Sequence, residues 1–332
     1  MSKQSISAYE AMASGTPSLL ARIYYKLKPL IPLHVRLALR RGRARRIKKR
    51  FNDTWPIDES AAAAPQGWSG WPDERDFAIV FTHDVESIRG VKKVKDLANI
   101  EITRGIRSSY NFIPEGPYVD PCKLRRWLTD NGFEVGVHDL NHDGHLYDSK
   151  QGFKEKAEKI NHYLKEWGSV GFRSAFMLRQ LDWMHDLNVL YDASTFDTDP
   201  FEPQPQGSQT IFPFEVRSNV GGKERSYVEL PYTLAQDSTV FLLLGEETAD
   251  VWKTKLDWIA EKGGLALVNI HPDYIDFTGK RSLLCYPASL IRDFLDHLNA
   301  SYRGRFWNPL PRELADWYRT QGSQKEEIAD HA

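Results

Sequence analysis

From residue 77 onward, short apolar runs alternate with amphipathic stretches. The apolar runs predict strands at Phe77–Val85, Ser109–Ile113, Phe133–His138, Val170–Phe172, Val189–Asp192, Val228–Tyr232 and Leu265–His271. The stretches between them predict helices near Val91–Arg104, Pro121–Asn131, Gly152–Trp167, Thr248–Lys262 and Pro287–Ala300. Strand-then-helix alternation is typical of a parallel α/β sheet, open or closed into a barrel. The pattern therefore predicts an α/β fold with its chemistry at the carboxyl ends of the strands.

The N-terminal segment mixes apolar and basic residues. Residues 1–50 carry 13 of the 44 Lys and Arg and one acid, Glu10, so this segment is near +12 and the remainder of a chain of net charge −1 is near −13. Helical spacing links Leu20, Ile23, Tyr24 and Leu27, and a second short helix is predicted around Val35, Leu37 and Leu39. We expect residues 18–50 either to contact an anionic membrane face or to dock on the domain with their basic side in water.

Composition also suggests domain bounds. We expect a basic amphipathic extension at residues 1–58, a linker at 59–72, the catalytic domain at 73–322 and a disordered tail at 323–332. The two cysteines, Cys122 and Cys285, are far apart, which argues against a disulfide framework. No leader-like segment or run of 18 apolar residues occurs in the chain, so the expected location is the cytoplasm, with peripheral contact at the inner membrane face as an option.

Two acidic residues close the first predicted strand. Asp84 and Glu86 lie two residues apart in Phe-Thr-His-Asp-Val-Glu. At a strand end, one such carboxylate can bind a metal while the other takes a proton. Acidic residues also end strands without any chemical role, so the pair becomes informative only beside further metal ligands.

A histidine pair follows another predicted strand. His138 and His142 occupy positions i and i+4 in Glu-Val-Gly-Val-His-Asp-Leu-Asn-His, and one helical turn would place both imidazoles on the same side, as in zinc sites. The alternative is a pair of structural histidines. His145 follows closely, and we expect it to support a ligand or contact substrate rather than bind the metal.

Two more strand ends carry Arg173 and His271. An arginine can fix a carboxylate and keep it ionised, although a surface arginine is the simpler interpretation of Arg173 alone. A histidine that titrates near neutral pH suits proton delivery to a leaving amine.

Taken in order, these motifs resemble the polysaccharide deacetylase superfamily (NodB homology domain, carbohydrate esterase family 4). They are Thr-His-Asp-Val-Glu, Glu-Val-Gly-Val-His-x-x-x-His, Phe-Arg and Ile-His-Pro, and the resemblance spans Phe77 to Tyr274 with a further C-terminal helix around Leu314–Tyr318. The chain is most similar to an uncharacterised bacterial branch often associated with surface-polysaccharide biosynthesis. The resemblance implies a distorted (β/α)7 barrel.

The resemblance also implies a role for each matched residue. Asp84 matches the catalytic base, Arg173 the arginine that orients the base, and His271 the general acid. One divalent metal, expected to be Zn²⁺, would be held by Glu86, His138 and His142. Glu86 stands where some family members have Asp, so the longer side chain would place the metal differently.

Two departures from the family pattern concern the substrate. Ala175-Phe176 replaces a Pro-Tyr pair whose backbone N–H binds the oxyanion, and we expect Phe176 to supply that N–H. The family's acid before the last histidine is matched by Asp237. Other residues assigned to substrate contact are His145, Asp197, Asp199 and Tyr232, although a loop of solvated acids is an equal interpretation of Asp197 and Asp199.

These motifs predict a metal-dependent hydrolase that removes an N-acetyl or N-formyl group from an amino sugar. A nucleotide- or lipid-linked precursor of a surface polysaccharide is the expected substrate. Two alternatives remain, an amidase acting on a non-sugar amide and an inactive scaffold protein in polysaccharide assembly. Nucleic-acid binding is not expected, because the body of the chain is acidic.

Overall fold

A computed structural model describes residues 33–220 and 223–330 of the chain. Its strands are β1 Phe77–Val85, β2 Ser108–Phe112, β3 Glu134–His138, β4 Gly171–Arg173, β5 Tyr191–Asp192, β6 Phe214–Val220, β7 Lys223–Glu229, β8 Leu265–Ile270, β9 Ile275–Asp276, β10 Tyr286–Pro287 and β11 Phe306–Trp307. Its α-helices are α1 Leu33–Arg50, α2 Ile88–Ile102, α3 Cys122–Asp130, α4 Lys150–Trp167, α5 Asp250–Lys262, α6 Ser289–Tyr302 and α7 Pro311–Asp330. A π-helix spans Ser238–Leu244.

Strand β1 lies at the centre of a curled parallel sheet. It pairs in parallel with β2 on one side and with β8 on the other, and the sheet continues from β2 through β3, β4 and β5 to β7. Two isolated parallel bridges connect the segment after β7 to its neighbours. Tyr232 pairs with Phe196, and Leu234 pairs with Val268 of β8. All nine residues of β1 are buried, as expected for a strand covered on both faces. The predicted α/β fold is confirmed as a curled half-barrel.

The hairpin β6–β7 was not predicted in full. The sequence places one strand at Val228–Tyr232, whereas β7 is Lys223–Glu229 and pairs antiparallel with β6 along its whole length. Apolar and polar residues alternate only at Phe214–Arg217, and the charged run Lys223-Glu224-Arg225 at the start of β7 interrupts the pattern typical of a strand. The five predicted helices in the domain are present as α2 to α6, with ends shifted by one to three residues.

The basic helix α1 docks on the domain. Ala44 is buried, Arg41 Nε donates to the carbonyl of Leu242 at 3.0 Å, and Lys48 Nζ pairs with Glu246 Oε1 at 2.6 Å. Residues 33–50 therefore dock on the domain, with most of their described basic side chains exposed. The predicted apolar positions between Leu20 and Leu27 lie outside the described residues. None of the helices within the described ranges is long and apolar enough to cross a bilayer.

The segment predicted as a linker, residues 59–72, packs against the domain. Ala61 is buried and its carbonyl accepts from the backbone N–H of Ile211 at 3.0 Å. The Trp71 indole donates to the carbonyl of Gly263 at 2.8 Å. At the other end, α7 confirms the helix expected around Leu314–Tyr318 but runs on to Asp330, so residues 323–330 are helical rather than a disordered tail. Local composition suggested loops in both places, and it carries no information on packing partners.

Candidate functional site

Three candidate metal ligands come together at the carboxyl edge of the sheet. Glu86 follows β1, His138 ends β3, and His142 lies in the loop after β3. One ligand atom from each of these residues lies within 4.8 Å of the other two. The strand order places β1 and β3 on either side of β2, which explains why residues more than fifty positions apart meet here.

The side chains of this group fit a divalent metal. His138 Nδ1 lies 3.0 Å from the carbonyl of Arg173, which can only accept, so Nδ1 carries the proton and Nε2 offers a lone pair. Among the described residues, the buried Nε2 atoms of His138 and His142 have no hydrogen-bond partner, although His142 Nε2 is 3.1 Å from Glu86 Oε1. Two imidazole nitrogens and one carboxylate oxygen are a common ligand set for Zn²⁺.

The path of the chain between the histidines is not helical. The expected helical turn is wrong, because residues 139–142 form an irregular loop in which Asp139 and His142 both have φ of +57°. Left-handed backbone is tolerated by Asp and His better than by most residues. The imidazoles still face each other, with ring centroids 4.8 Å apart. The i, i+4 spacing predicted that the two imidazoles lie together. They do, but an irregular loop rather than a helical turn brings them together.

Asp84 is buried beside the ligand group and is held by two asparagine amides. Asn111 Nδ2 donates to Oδ1 at 2.9 Å and Asn269 Nδ2 donates to Oδ2 at 2.7 Å. Asn111 is the register partner of Asp84 across β1 and β2. Arg173 Nε is 3.7 Å from Asp84 Oδ1, too far for a hydrogen bond, and Arg173 Nη2 instead donates to Thr82 Oγ1 at 2.8 Å. The amides thus orient the carboxylate directly, while Arg173 acts on it through its charge.

A glycine makes room for one of these amides. A Cβ on Gly136 would lie 2.1 Å from Asn111 Oδ1, so any larger residue at this position would displace the asparagine.

A second glycine, Gly90, makes room for Asp273, because a Cβ there would lie 2.1 Å from Asp273 Oδ2. Asp273 accepts from the backbone N–H of Glu86 at 3.0 Å and from the Ser87 hydroxyl, so it fixes the backbone of a metal ligand.

Both carboxylates are ionised near neutral pH. Burial raises the pKa of Asp84, but the electrostatic effect of the neighbouring His138, Arg173 and His271 outweighs it and brings the pKa well below its ordinary value. Burial also raises the pKa of Glu86, and the charges of His271 and His142 outweigh it and lower the pKa to about 2.

His271 faces the ligand group from β8. Its Nε2 is 3.7 Å from Glu86 Oε1, and its Nδ1 lies 2.6 Å from Asp237 Oδ1. Asp237 is fully buried and also accepts from the backbone N–H of His271 and the hydroxyl of Tyr286. Burial lowers the pKa of His271, but Asp237 and Glu86 more than compensate and raise it to about 10. The imidazole therefore carries a proton that it can deliver.

No family model matches the chain, and no curated protein matches it. Solved structures do. A Mycobacterium smegmatis protein classed as a polysaccharide deacetylase matches with a TM-score of 0.57 and 17% identity, over 78% of this chain and 95% of the other. The chain has a polysaccharide deacetylase fold. Two further matches are peptidoglycan deacetylase PdaC from Bacillus subtilis (10% identity, 78% and 98% covered, TM-score 0.46) and a family 4 pseudoenzyme from Bacillus anthracis (13% identity, 74% and 66% covered, TM-score 0.43).

Within this deacetylase fold, Phe176 is a residue assigned to substrate that lies at the site, whereas His145 and Asp197 do not contact it. Phe176 lies at the site, with its ring centroid 4.7 Å from that of His142, its side chain 38% exposed and its φ at +57°. His145 points away from the site, since it is exposed and its Nδ1 bonds Asp148 at 2.8 Å. Asp197 is buried in an ion pair with Lys255 at 2.5 Å. The burial of Asp197 disagrees with the expectation that it contacts substrate. Asp237 contacts His271.

Asp199 and Tyr232 belong to a buried network beside the site. The Tyr232 hydroxyl lies 2.9 Å from Asp199 Oδ2 and 2.7 Å from Glu202 Oε1. A tyrosine hydroxyl has one proton to donate, so one of the two carboxyl groups must carry a proton for both contacts to be hydrogen bonds. Burial, with the neighbouring charge of Glu202, raises the pKa of Asp199 to about 8, and burial also raises the pKa of Glu202, so this pair of carboxyl groups holds one proton near neutral pH. Asp199 is 2% exposed and so stabilises the fold rather than reaching substrate.

This shared proton predicts a pH dependence of stability. In the folded state this pair of carboxyl groups binds the proton up to about pH 8, whereas the unfolded chain releases it near pH 4. The contribution of this proton to stability therefore falls as pH rises between these values, by about 1.4 kcal/mol per pH unit. The variant Asp199→Asn should remove this loss, because its amide replaces the protonated carboxyl. Urea unfolding of the two metal-free proteins at about pH 5 and pH 8 measures the difference. Asp130→Asn, at the exposed end of α3, is the control. Equal pH slopes for wild type and Asp199→Asn would contradict the assignment.

Proposed function

We propose that the chain is a metal-dependent hydrolase that removes an N-acetyl or N-formyl group from an amino sugar. The observation that carries this proposal is the group of Glu86, His138 and His142, with the ionised Asp84 and the protonated His271 facing it from neighbouring strands. His138 Nε2 is 3.9 Å from Asp84 Oδ2, so the proposed base lies directly beside the ligand group. A base and an acid on either side of a Lewis-acid site suit hydrolysis of an amide.

Zn²⁺ is the metal that we propose for this group. When bound, a divalent ion here would supply the positive charge that acidifies water and polarises the amide carbonyl. Asp84, fixed by the amides of Asn111 and Asn269, takes the proton of the attacking water. The backbone N–H of Phe176 is the proposed donor to the oxyanion. His271 gives its proton to the departing amine, and Asp237 stabilises the imidazolium until then.

We further propose that the sugar is nucleotide- or lipid-linked, as in precursors of a bacterial surface polysaccharide. Support comes from the motifs of the surface-polysaccharide branch and from the basic extension, which suits an anionic carrier. Release of acetate and formate from a panel of UDP-linked and lipid-linked amino sugars tests the proposal. Zinc-loaded protein should release one of the two acids, and a chelator should stop the release.

Two controls make that experiment decisive. Asp84→Asn protein, loaded with zinc in the same way, excludes hydrolysis by a contaminating enzyme. A non-sugar amide such as a ring-opened ureide tests the alternative amidase. Hydrolysis of that amide by chelator-treated protein, with no acid released from any sugar, would contradict the proposed function.

A further inference from the structure

Exposed apolar side chains concentrate at the face that carries the site. The large hydrophobic residues exposed in the described part of the chain are Val35, Leu39, Ile88, Ile102, Val119, Phe176 and Leu283. Ile88, Val119 and Phe176 lie after the carboxyl ends of β1, β2 and β4, and Leu283 lies in the segment 271–288 that joins the carboxyl end of β8 to α6. In a parallel sheet covered by helices, the segments after strand ends form one face. More than half of these exposed apolar residues therefore belong to the catalytic face.

Three of these four residues adjoin the site directly. Ile88 is two residues after Glu86 and begins α2. The hydroxyl of Tyr118, the residue before Val119, donates to the carbonyl of Val85 at 2.6 Å, so the loop that presents Val119 is tied to the end of β1. Val119 itself is 91% exposed. Phe176 packs on His142. The site is therefore bordered by apolar side chains that are partly or almost fully exposed.

The basic helix α1 is attached to the rim of the same face. The π-helix that receives α1 begins directly after Asp237, the partner of His271. Arg41 of α1 bonds this helix at Leu242, and Lys48 of α1 pairs with Glu246 just beyond it. The loop that presents Leu283 reaches the same point, because Arg281 Nη2 donates to the carbonyl of Glu246 at 2.6 Å. The cationic helix α1 and the loop that presents Leu283 therefore lie next to each other.

Helix α1 presents cations and no acids. Its sequence contains no Asp or Glu, and its exposed basic residues are Arg40, Arg43, Arg45, Arg46, Lys49 and Arg50. Leu39, which is 59% exposed, lies among them. Basic residues beside exposed apolar side chains are the combination that binds an anionic lipid surface, where the cations meet headgroups and the apolar groups enter the interfacial layer.

We infer that the catalytic face docks on an anionic lipid bilayer through Ile88, Val119, Leu283 and the exposed cations of α1. A nucleic acid would be held by the cations but would gain nothing from the apolar loops, and it would be repelled by the remainder of the chain, near −13. The docking rests on the surface of the molecule and does not depend on the proposed hydrolysis. In this position the site would open towards the lipid headgroups.

Helix α2 offers a matched pair of variants for the test. Its first residue, Ile88, is 51% exposed at the catalytic face, and its last residue, Ile102, is 44% exposed at the opposite edge of the sheet. The full chain is floated with vesicles of phosphatidylcholine and phosphatidylglycerol, and with phosphatidylcholine alone. We expect binding to the first mixture only. Ile88→Asn combined with Val119→Asn should weaken vesicle partitioning by about tenfold or more, and Ile102→Asn should leave it unchanged.

A charge variant tests the second half of the surface. Replacing Arg40, Arg43 and Arg46 by Gln should weaken partitioning by about 100-fold, at roughly tenfold or less for each charge, and raised salt should weaken the wild type in the same direction. Three results would overturn the inference: no flotation of the wild type, loss through the charge variant with none through Ile88→Asn/Val119→Asn, or equal loss in Ile102→Asn. Vesicle binding is measured without substrate, so a failed sugar panel leaves this result independent.

Discussion

Replacing Asp84 by Asn should lower kcat by about 1,000-fold while the protein still binds Zn²⁺, because the variant loses the base and keeps the ligands. The Asp84 carboxylate lies 3.9 Å from His138 Nε2, is held ionised and does not belong to the ligand group. An amide has the same shape but takes no proton at neutral pH. Zinc affinity, measured by competition with a chelating dye, and acetate or formate release are the two readouts.

The surroundings of Asp84 allow this substitution to fold. Asn111 and Asn269 both donate to the carboxylate, so an amide at position 84 would place its own NH2 against one donor. Rotation of the Asn269 amide, whose Oδ1 is 3.3 Å from Thr82 Oγ1, would turn an acceptor towards the new NH2. The control is Asp130→Asn on the exposed end of α3. An Asp84→Asn enzyme within tenfold of wild type would show that another group takes the proton.

The fold was predictable wherever burial dominates the sequence pattern. Strand β1 is buried along its whole length and appears as a continuous apolar run, and α2 and α4 have one buried face and one exposed face. The hairpin β6–β7 keeps neither pattern over its length, since the alternation at Phe214–Arg217 is short and three consecutive charged residues begin β7. The docking of residues 33–50 and 59–72 depends on individual contacts with distant residues, such as Arg41 with Leu242, and no local pattern contains them.

The candidate site was predictable only through its motifs. Residues Asp84, Glu86, His138, His142 and His271 were found because each lies at or shortly after the end of a strand in a recognisable sequence. One group that holds them, Asn269, was missed because it is 185 positions from Asp84 in the sequence. Asp237, 34 positions from His271, was assigned only through the family resemblance, and its contact with His271 was not predicted. Asn111 could have been found from the register of two adjacent strands, since a parallel sheet places it beside Asp84. Neutral amides carry no signal of their own in a sequence.

The metal ligands allow an equally strong prediction. His138→Ala should weaken zinc affinity by more than about 100-fold, because losses of 10- to 100-fold already follow when only a group supporting a ligand is removed. His138 is 1% exposed, and its Nδ1 is hydrogen-bonded to the carbonyl of Arg173, so its imidazole is held in place beside Glu86 and His142. Hydrolysis should fall in parallel, and excess zinc should restore part of it, since Glu86 and His142 remain.

His145→Ala is the matched control for that variant. His145 lies three residues after His142, but it is exposed and bonded to Asp148, so its loss should leave zinc affinity within about threefold of wild type. Unfolding of each metal-free variant by urea separates loss of a ligand from loss of the fold, because a specific ligand defect leaves the metal-free protein as stable as its parent or nearly so. Equal zinc affinity in His138→Ala and His145→Ala would mean that the metal, if it binds, is held elsewhere. Loss in His138→Ala alone would place the ion beside Asp84, where its charge and the free carboxylate can act on the same water.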